Sequence, residues 1–176
     1  MNRMEQLKLL ATYNRWMNEK VYAACRNLPE AELQRDRGAF FKSIFGTLNH
    51  LAVGDTLWLK RFANFVPTMA NHPTLPQLAS PTSLDGHLFE SFEQLAAYRL
   101  LLDAFILDLV DAIPDAMLDQ PFSFVTTKGV PVTKDFFGTL THFFNHQTHH
   151  RGQTTTLLTQ QGVDVGVTDL LMLLQD

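Results

Sequence analysis

Along most of the chain, apolar residues return every three or four positions, the period of a helix with one packed face. The first such stretch runs from about Asn2 to Asn27. Leu7, Ala11, Asn14, Met17, Val21 and Cys25 follow one stripe, and Leu28-Pro29-Glu30 stops it. The second runs from about Ser43 to Phe65, with Ile44, Phe45, Leu48, Ala52, Leu59 and Phe62 on its apolar side and Ser43 as the expected N-cap. Prolines 67, 73, 76 and 81 then predict a long loop. A third helix is predicted from near Ser83 or Asp85 to just before Pro114. A fourth runs from about Thr133 to Gln161, with Gly162 as its C-cap. Between them, two β-prone stretches flank Lys128-Gly129 and predict a small hairpin within 121–133. A short last helix is expected over Asp169 to Leu174. The fold class is all-α, a four-helix bundle, and such bundles often carry metal sites between facing helices.

At 176 residues the chain reads as a single domain, 1–176, long enough for a sizeable core. Its net charge is -4 and it has no basic run, which disfavours general nucleic-acid binding. No uncharged apolar run reaches the roughly 18 residues of a membrane span. The best stretch, Leu100 to Ile113, is broken by Asp103, Asp108 and Asp111. The segment Met1 to Gln6 lacks an apolar signal core, so a cytoplasmic location is the expectation. Cys25 is the single cysteine; it allows no disulfide within the chain and no cysteine-rich zinc ribbon, and reads as an inert core thiol.

Histidines change the picture. Four of the seven fall between His142 and His150. Neutral imidazole is the commonest side-chain metal ligand, and residues four apart share a helix face, so His146 and His150 can hold one ion between them. On an ideal wheel of about 100° per residue, His150 falls inside the apolar face of the fourth helix and His146 on its edge. His142 and His149 project further round and read as flanking residues. A third ligand must come from a facing helix. Of His50, His72 and His87, the mid-helix His50 is best placed; His72 sits in the proline-rich loop and His87 at a probable helix start. His50 nevertheless lies off its helix's main stripe, aligned with Thr47, Gly54 and Leu57, and periodicity leaves it open. Phe143, Trp58 and Trp16 are candidates for the wall of a pocket, although aromatic residues at helical spacing usually mean core.

The segments Ala11 to Asn18, Phe41 to Leu51, Asp55 to Phe62 and, most strongly, Asn145 to Gln153 together resemble the DinB family of metal-binding four-helix bundles, also called DinB/YfiT-like. The resemblance covers nearly the whole chain. It implies that His50, His146 and His150 bind a divalent ion, that the loop from Pro67 to Pro81 is the bundle's one long crossover, and that the chain is a homodimer.

Three neutral imidazoles leave an ion its full charge and an open position, a pattern that suits catalysis more than structure. Zinc or nickel fits three nitrogen donors best, with iron or manganese as alternatives. The ion can activate water for hydrolysis of a small substrate, with Asp55 as a candidate base or a buried carboxylate behind the ligands, against an equal reading as a hydrogen-bond partner for a core Tyr, Trp or Asn. It can instead present the sulfur of an external low-molecular-weight thiol for transfer. Arg151 and Arg61 are then candidate anchors for that thiol's carboxylates, against the plainer reading of each as a solvated helix arginine. The competing class is a non-catalytic metal- or small-molecule-binding protein of a stress response. No helix carries the Glu-x-x-His motif of di-iron carboxylate bundles.

Overall fold

A computed structural model describes residues 1–174 of the chain. Its frame is four long helices, α1 (Arg3–Cys25), α3 (Ile44–Phe65), α4 (Phe92–Ala112) and α5 (Phe136–Thr159). A short α2 (Glu30–Gln34) follows α1, and an antiparallel pair, β1 (Pro121–Val125) and β2 (Pro131–Asp135), precedes α5. Each long helix starts at a side chain that accepts from an N–H of the first turn. Asn2 and Glu5 form a reciprocal capping box on α1. Ser43 accepts from the Gly46 N–H at 2.9 Å, Ser91 from Gln94 and Asp135 from Gly138. α5 ends where Gly162 turns left-handed, at φ 74°, and the Val163 N–H closes back onto the Leu158 carbonyl. No helix is long and apolar enough to cross a membrane among the described residues.

Three elements differ from the sequence reading, and one is added. The third long helix starts at Phe92, not near Ser83 or Asp85, because the preceding segment is held by α3 instead. Asn49 Oδ1 accepts from the Leu88 and Phe89 N–H groups, which a helical turn would need for itself. The fourth starts at Phe136; Thr133 lies in β2, opposite Ser123. The expected C-terminal helix is a single 3-10 turn, Leu170–Leu173. The tail is fixed just upstream, where the Tyr13 hydroxyl donates to the Thr168 carbonyl at 2.7 Å. Helix α2 had no sequence expectation.

α3 and α1 are diagonal partners: each packs against both α4 and α5. Every residue of α3 from Ile44 to Thr56 is therefore buried, on all faces. This resolves the position of His50, which is off the apolar stripe yet only 9% exposed.

The centre of the bundle is polar. Arg99 of α4 reaches Asp55 of α3 and lies 3.1 Å from Asp103, one turn along its own helix. Asp103 Oδ1 also accepts from the side-chain amides of Asn14 and Asn18 on α1, at 3.1 and 2.8 Å. Arg151 of α5 donates to the Asn14 and Asn18 carbonyl oxygens. All six side chains are buried. Two carboxylates and two guanidinium groups balance, and one connected set of polar contacts crosses all four helices. Burial pushes the Asp103 carboxyl up to about 6, with Arg99 and Asn18 opposing, and lowers Arg151 to about 10.

Arg99→Met leaves two buried carboxylates without their shared cation. The expected loss is about 3–5 kcal/mol, read from the urea midpoint. Arg26→Met, which breaks the exposed pair with Glu93, is expected to cost less than about 1 kcal/mol.

Candidate metal centre

His50 sits in the second turn of α3, opposite the middle of α5, where His146 and His150 follow each other by one turn. His50 Nε2 and His146 Nε2 are 3.2 Å apart, and one ring nitrogen from each of the three histidines lies within 4.8 Å of the other two. The ring centroids are 5.2, 4.6 and 4.4 Å apart.

Hydrogen bonds on the far side of two rings determine what faces the centre. His50 Nδ1 lies 2.9 Å from the Leu84 carbonyl oxygen, and His150 Nδ1 lies 2.8 Å from Gln153 Oε1. Carbonyl oxygens only accept, so both Nδ1 atoms carry the proton, and each Nε2 presents a lone pair. His146 turns its own Nε2 toward that of His50, while its Nδ1 is buried without a partner. Lone pairs converging at this separation fit a shared divalent cation.

The electrostatics agree. Burial lowers the pKa of His146 to about 3, and His150 and His50 lower it further. Burial likewise lowers His50, against its bond to Leu84, and lowers His150, against its bond to Gln153. All three are neutral at physiological pH, the form that ligates metal.

Two backbone features shape the surroundings. Gly54, one turn beyond His50, faces His146; a Cβ there would stand 3.1 Å from His146 Cε1. On the other side, Phe41 stacks on His50, with centroids 3.8 Å apart and planes at 16°, and meets His150 edge-on at 5.5 Å. Phe41 is held by a γ-turn: the Ser43 N–H donates to its carbonyl at 2.7 Å, with Lys42 at φ 65°. This turn is rare and strained for a residue with a side chain. Gly46 is required beneath it, since a Cβ would overlap the Phe41 carbonyl oxygen.

Two of the three histidines, His50 and His146, open on a cavity of about 290 Å³. His50, Gly54 and His146 form one end, and Leu57, Trp58 and Phe124 are among its apolar walls. Trp58 is thus a wall residue and not simply core; Phe143 is buried in the core as expected. His142 stands exposed at the mouth, edge-on to Trp58 at 5.6 Å. His149 is exposed, and its Nε2 accepts from Gln153 at 3.3 Å. His72, in the loop, lies 3.4 Å from Asp108 of α4, and His87 is exposed beside Phe45.

Asp55 is fully buried, with Oδ2 committed to Arg99, and neither of its oxygens hydrogen-bonds an imidazole. Arg151, read as solvated or as a ligand anchor, is instead 3% exposed and bound to α1. Arg61 is half-buried over the rings of Trp58 and Phe124. Cys25 is fully buried, and burial pushes its thiol up to about 12, which makes it inert. Sequence reasoning missed Leu84, Gln153 and the covering role of Phe41. Of these, only Gln153 had a signal, one turn beyond His150 on the same face.

The fold and site define a four-helix bundle with a three-histidine cluster between two neighbouring helices. The chain belongs to the DinB family, whose model matches residues 1–175. It is 27% identical over 161 residues to Protein DinB of Bacillus subtilis (strain 168), a match covering 91% of this chain and 88% of that protein.

His146→Ala and His150→Ala are each expected to abolish stoichiometric metal in elemental analysis, whereas His149→Ala and His72→Ala keep it. Gly54→Ala should weaken metal binding by about tenfold or more without unfolding the bundle, since the added methyl displaces His146; a competition titration against a chelator measures this. Unchanged affinity would mean that the His146 ring accommodates the methyl.

Proposed function

We propose that this chain is a divalent-metal-dependent enzyme acting on a small molecule, with His50, His146 and His150 as the protein ligands. One observation carries the reading: three neutral imidazoles converge with no fourth donor among the described residues, and two of them, His50 and His146, line an apolar cavity. A structural zinc site is normally closed by four protein ligands; three donors leave a position for water or substrate. Zinc or nickel suits the donor set, and iron or manganese is also compatible.

When bound, the ion supplies a Lewis acid that activates either water or the sulfur of an external thiol. The chain's own residues support that role in definite ways. Leu84 and Gln153 fix the tautomers of two ligands, Phe41 covers one side of the cluster, and Leu57, Trp58 and Phe124 give the open side apolar walls. Neither chemistry draws on a cysteine of this chain, because Cys25 is sealed in the core. Among the described residues no carboxylate lines the cavity, so hydrolysis would use a base other than Asp55.

Elemental analysis of untagged protein, wild type beside His50→Ala, is the test. Near-stoichiometric metal is expected in the wild type and little in the variant. Ester hydrolysis or conjugation of an added thiol to an electrophile should then appear only in the loaded wild type. Chelation should leave the far-ultraviolet circular dichroism intact, because the apolar faces and the polar centre hold the bundle. Little metal in both proteins after reconstitution with each ion would overturn the enzyme reading, and loss of helicity on chelation would make the site structural.

A further inference from the structure

Among the described residues, six of the chain's eight arginines lie within ion-pairing distance of a carboxylate: Arg3, Arg15, Arg26, Arg35, Arg37 and Arg99. Arg151 is enclosed by Asn14 and Asn18. Arg61 is the exception. Its guanidinium lies 4.9 Å from the centre of the Trp58 ring and 5.0 Å from that of Phe124. One of its N–H groups donates to the Val125 carbonyl at 3.0 Å. A guanidinium has five such donors, so most remain available.

Its location gives that availability a direction. Arg61 lines the cavity that ends at His50 and His146, and also a second hollow that adjoins it under the crossover loop. Hydroxyl-bearing Thr126 and Thr127 line the first, and Thr82 and Ser83 the second; among the described residues no acidic side chain lines either. A cation held between aromatic rings, flanked by hydroxyls and unopposed by carboxylates, is the chemistry of an oxyanion receptor. The helix sets the distance. Eleven residues separate His50 from Arg61 on α3, about 16 Å at 1.5 Å per residue. The Arg61 side chain leans back over Trp58, one turn toward the histidines, which shortens the span.

We propose that Arg61 is the anion-binding end of this cavity, and that its ligand is an elongated small molecule with an apolar or aromatic body and a carboxylate-type oxyanion at the end remote from the histidines. The inference rests on the cavity being the ligand site proposed above, and it adds the class of ligand. Trp58 and Phe124 flank the body, while the arginine fork takes the charge in a paired arrangement that lysine cannot reproduce.

The test uses 4-phenylbutyrate and the neutral, nearly isosteric 4-phenylbutanamide, titrated by calorimetry into wild type, Arg61→Met and Arg61→Lys. Both chelated and zinc-treated protein are used. In chelated wild type the acid should bind about tenfold or more tighter than the amide, the scale of a charge-assisted hydrogen bond. Arg61→Met, which keeps the packing stem, should erase that preference, and Arg61→Lys should retain only part of it. A preference that survives Arg61→Met, or that appears only with zinc, would put the carboxylate on the ion and overturn the proposal. No binding of the acid to wild type up to millimolar concentration would overturn it as well. Because the central comparison uses metal-free protein, a failure of metal loading leaves this test readable, and the two readings fail separately.

Discussion

The polar cluster at the bundle centre is the constraint on which the rest depends. Apolar stripes bring four helices together, but they tolerate sliding and rotation; a guanidinium that must meet two carboxylates tolerates neither. Arg99 cannot satisfy Asp55 on α3 and Asp103 on its own helix unless α3 and α4 keep one register. Asp103 then fixes α1 through Asn14 and Asn18, whose carbonyl oxygens fix α5 through Arg151. A register slip in any helix would strand a buried charge.

This cluster also sets the geometry of the histidine centre. Arg151 is the residue after His150, and Asp55 follows His50 by five positions, so both ligand-bearing helices are indexed to the same charges. The three rings need only small local adjustments once α3 and α5 are fixed. Those come from Leu84 and Gln153 behind two rings, from Gly54 where His146 needs room, and from Phe41 over His50. The strained turn at Lys42 is intelligible in this frame. It sets the Phe41 ring flat on His50, and the well-capped start of α3 offsets its cost.

How much of this could be read from the residues depended on whether the signal was periodic. The long helices, the Ser43 cap, the Gly162 stop and the hairpin follow from local pattern and turn chemistry, and they are present. The pairing of His146 with His150 follows from a four-residue spacing. His50 did not follow from its wheel, because a wheel assumes one buried face and α3 is buried on all sides; resemblance to a family supplied it. Arg151 was misread for a related reason: an arginine beside a histidine looks solvated until its partners are known, and those lie on α1, more than 130 residues away. There were traces in the chain. Asn14 lies on the apolar stripe of α1, and Asp103 interrupts an apolar run four residues after Arg99. Polar residues at core positions on two helices imply that they meet, yet spacing alone does not say which meets which. The start of α4 was lost in the same way, because Asn49 of α3 takes the N–H groups of Leu88 and Phe89 just before it.

The division of labour between the two ends of the molecule bears on its chemistry. At the centre the strong charges are buried and face one another. At the cavity, among the described residues, the lining groups with chemistry to offer are His50, His146, the exposed His142, Arg61 and two threonine hydroxyls. On the function proposed above, a wall with so little acid or base of its own would leave bond-making to an ion on the histidines, and selection to shape and charge. Burial of Arg61 is offset in part by one hydrogen bond to Val125 and by two aromatic faces. An anionic ligand would complete that compensation better than a neutral one, which is why the arginine says more about the proposed ligand than the apolar surface around it.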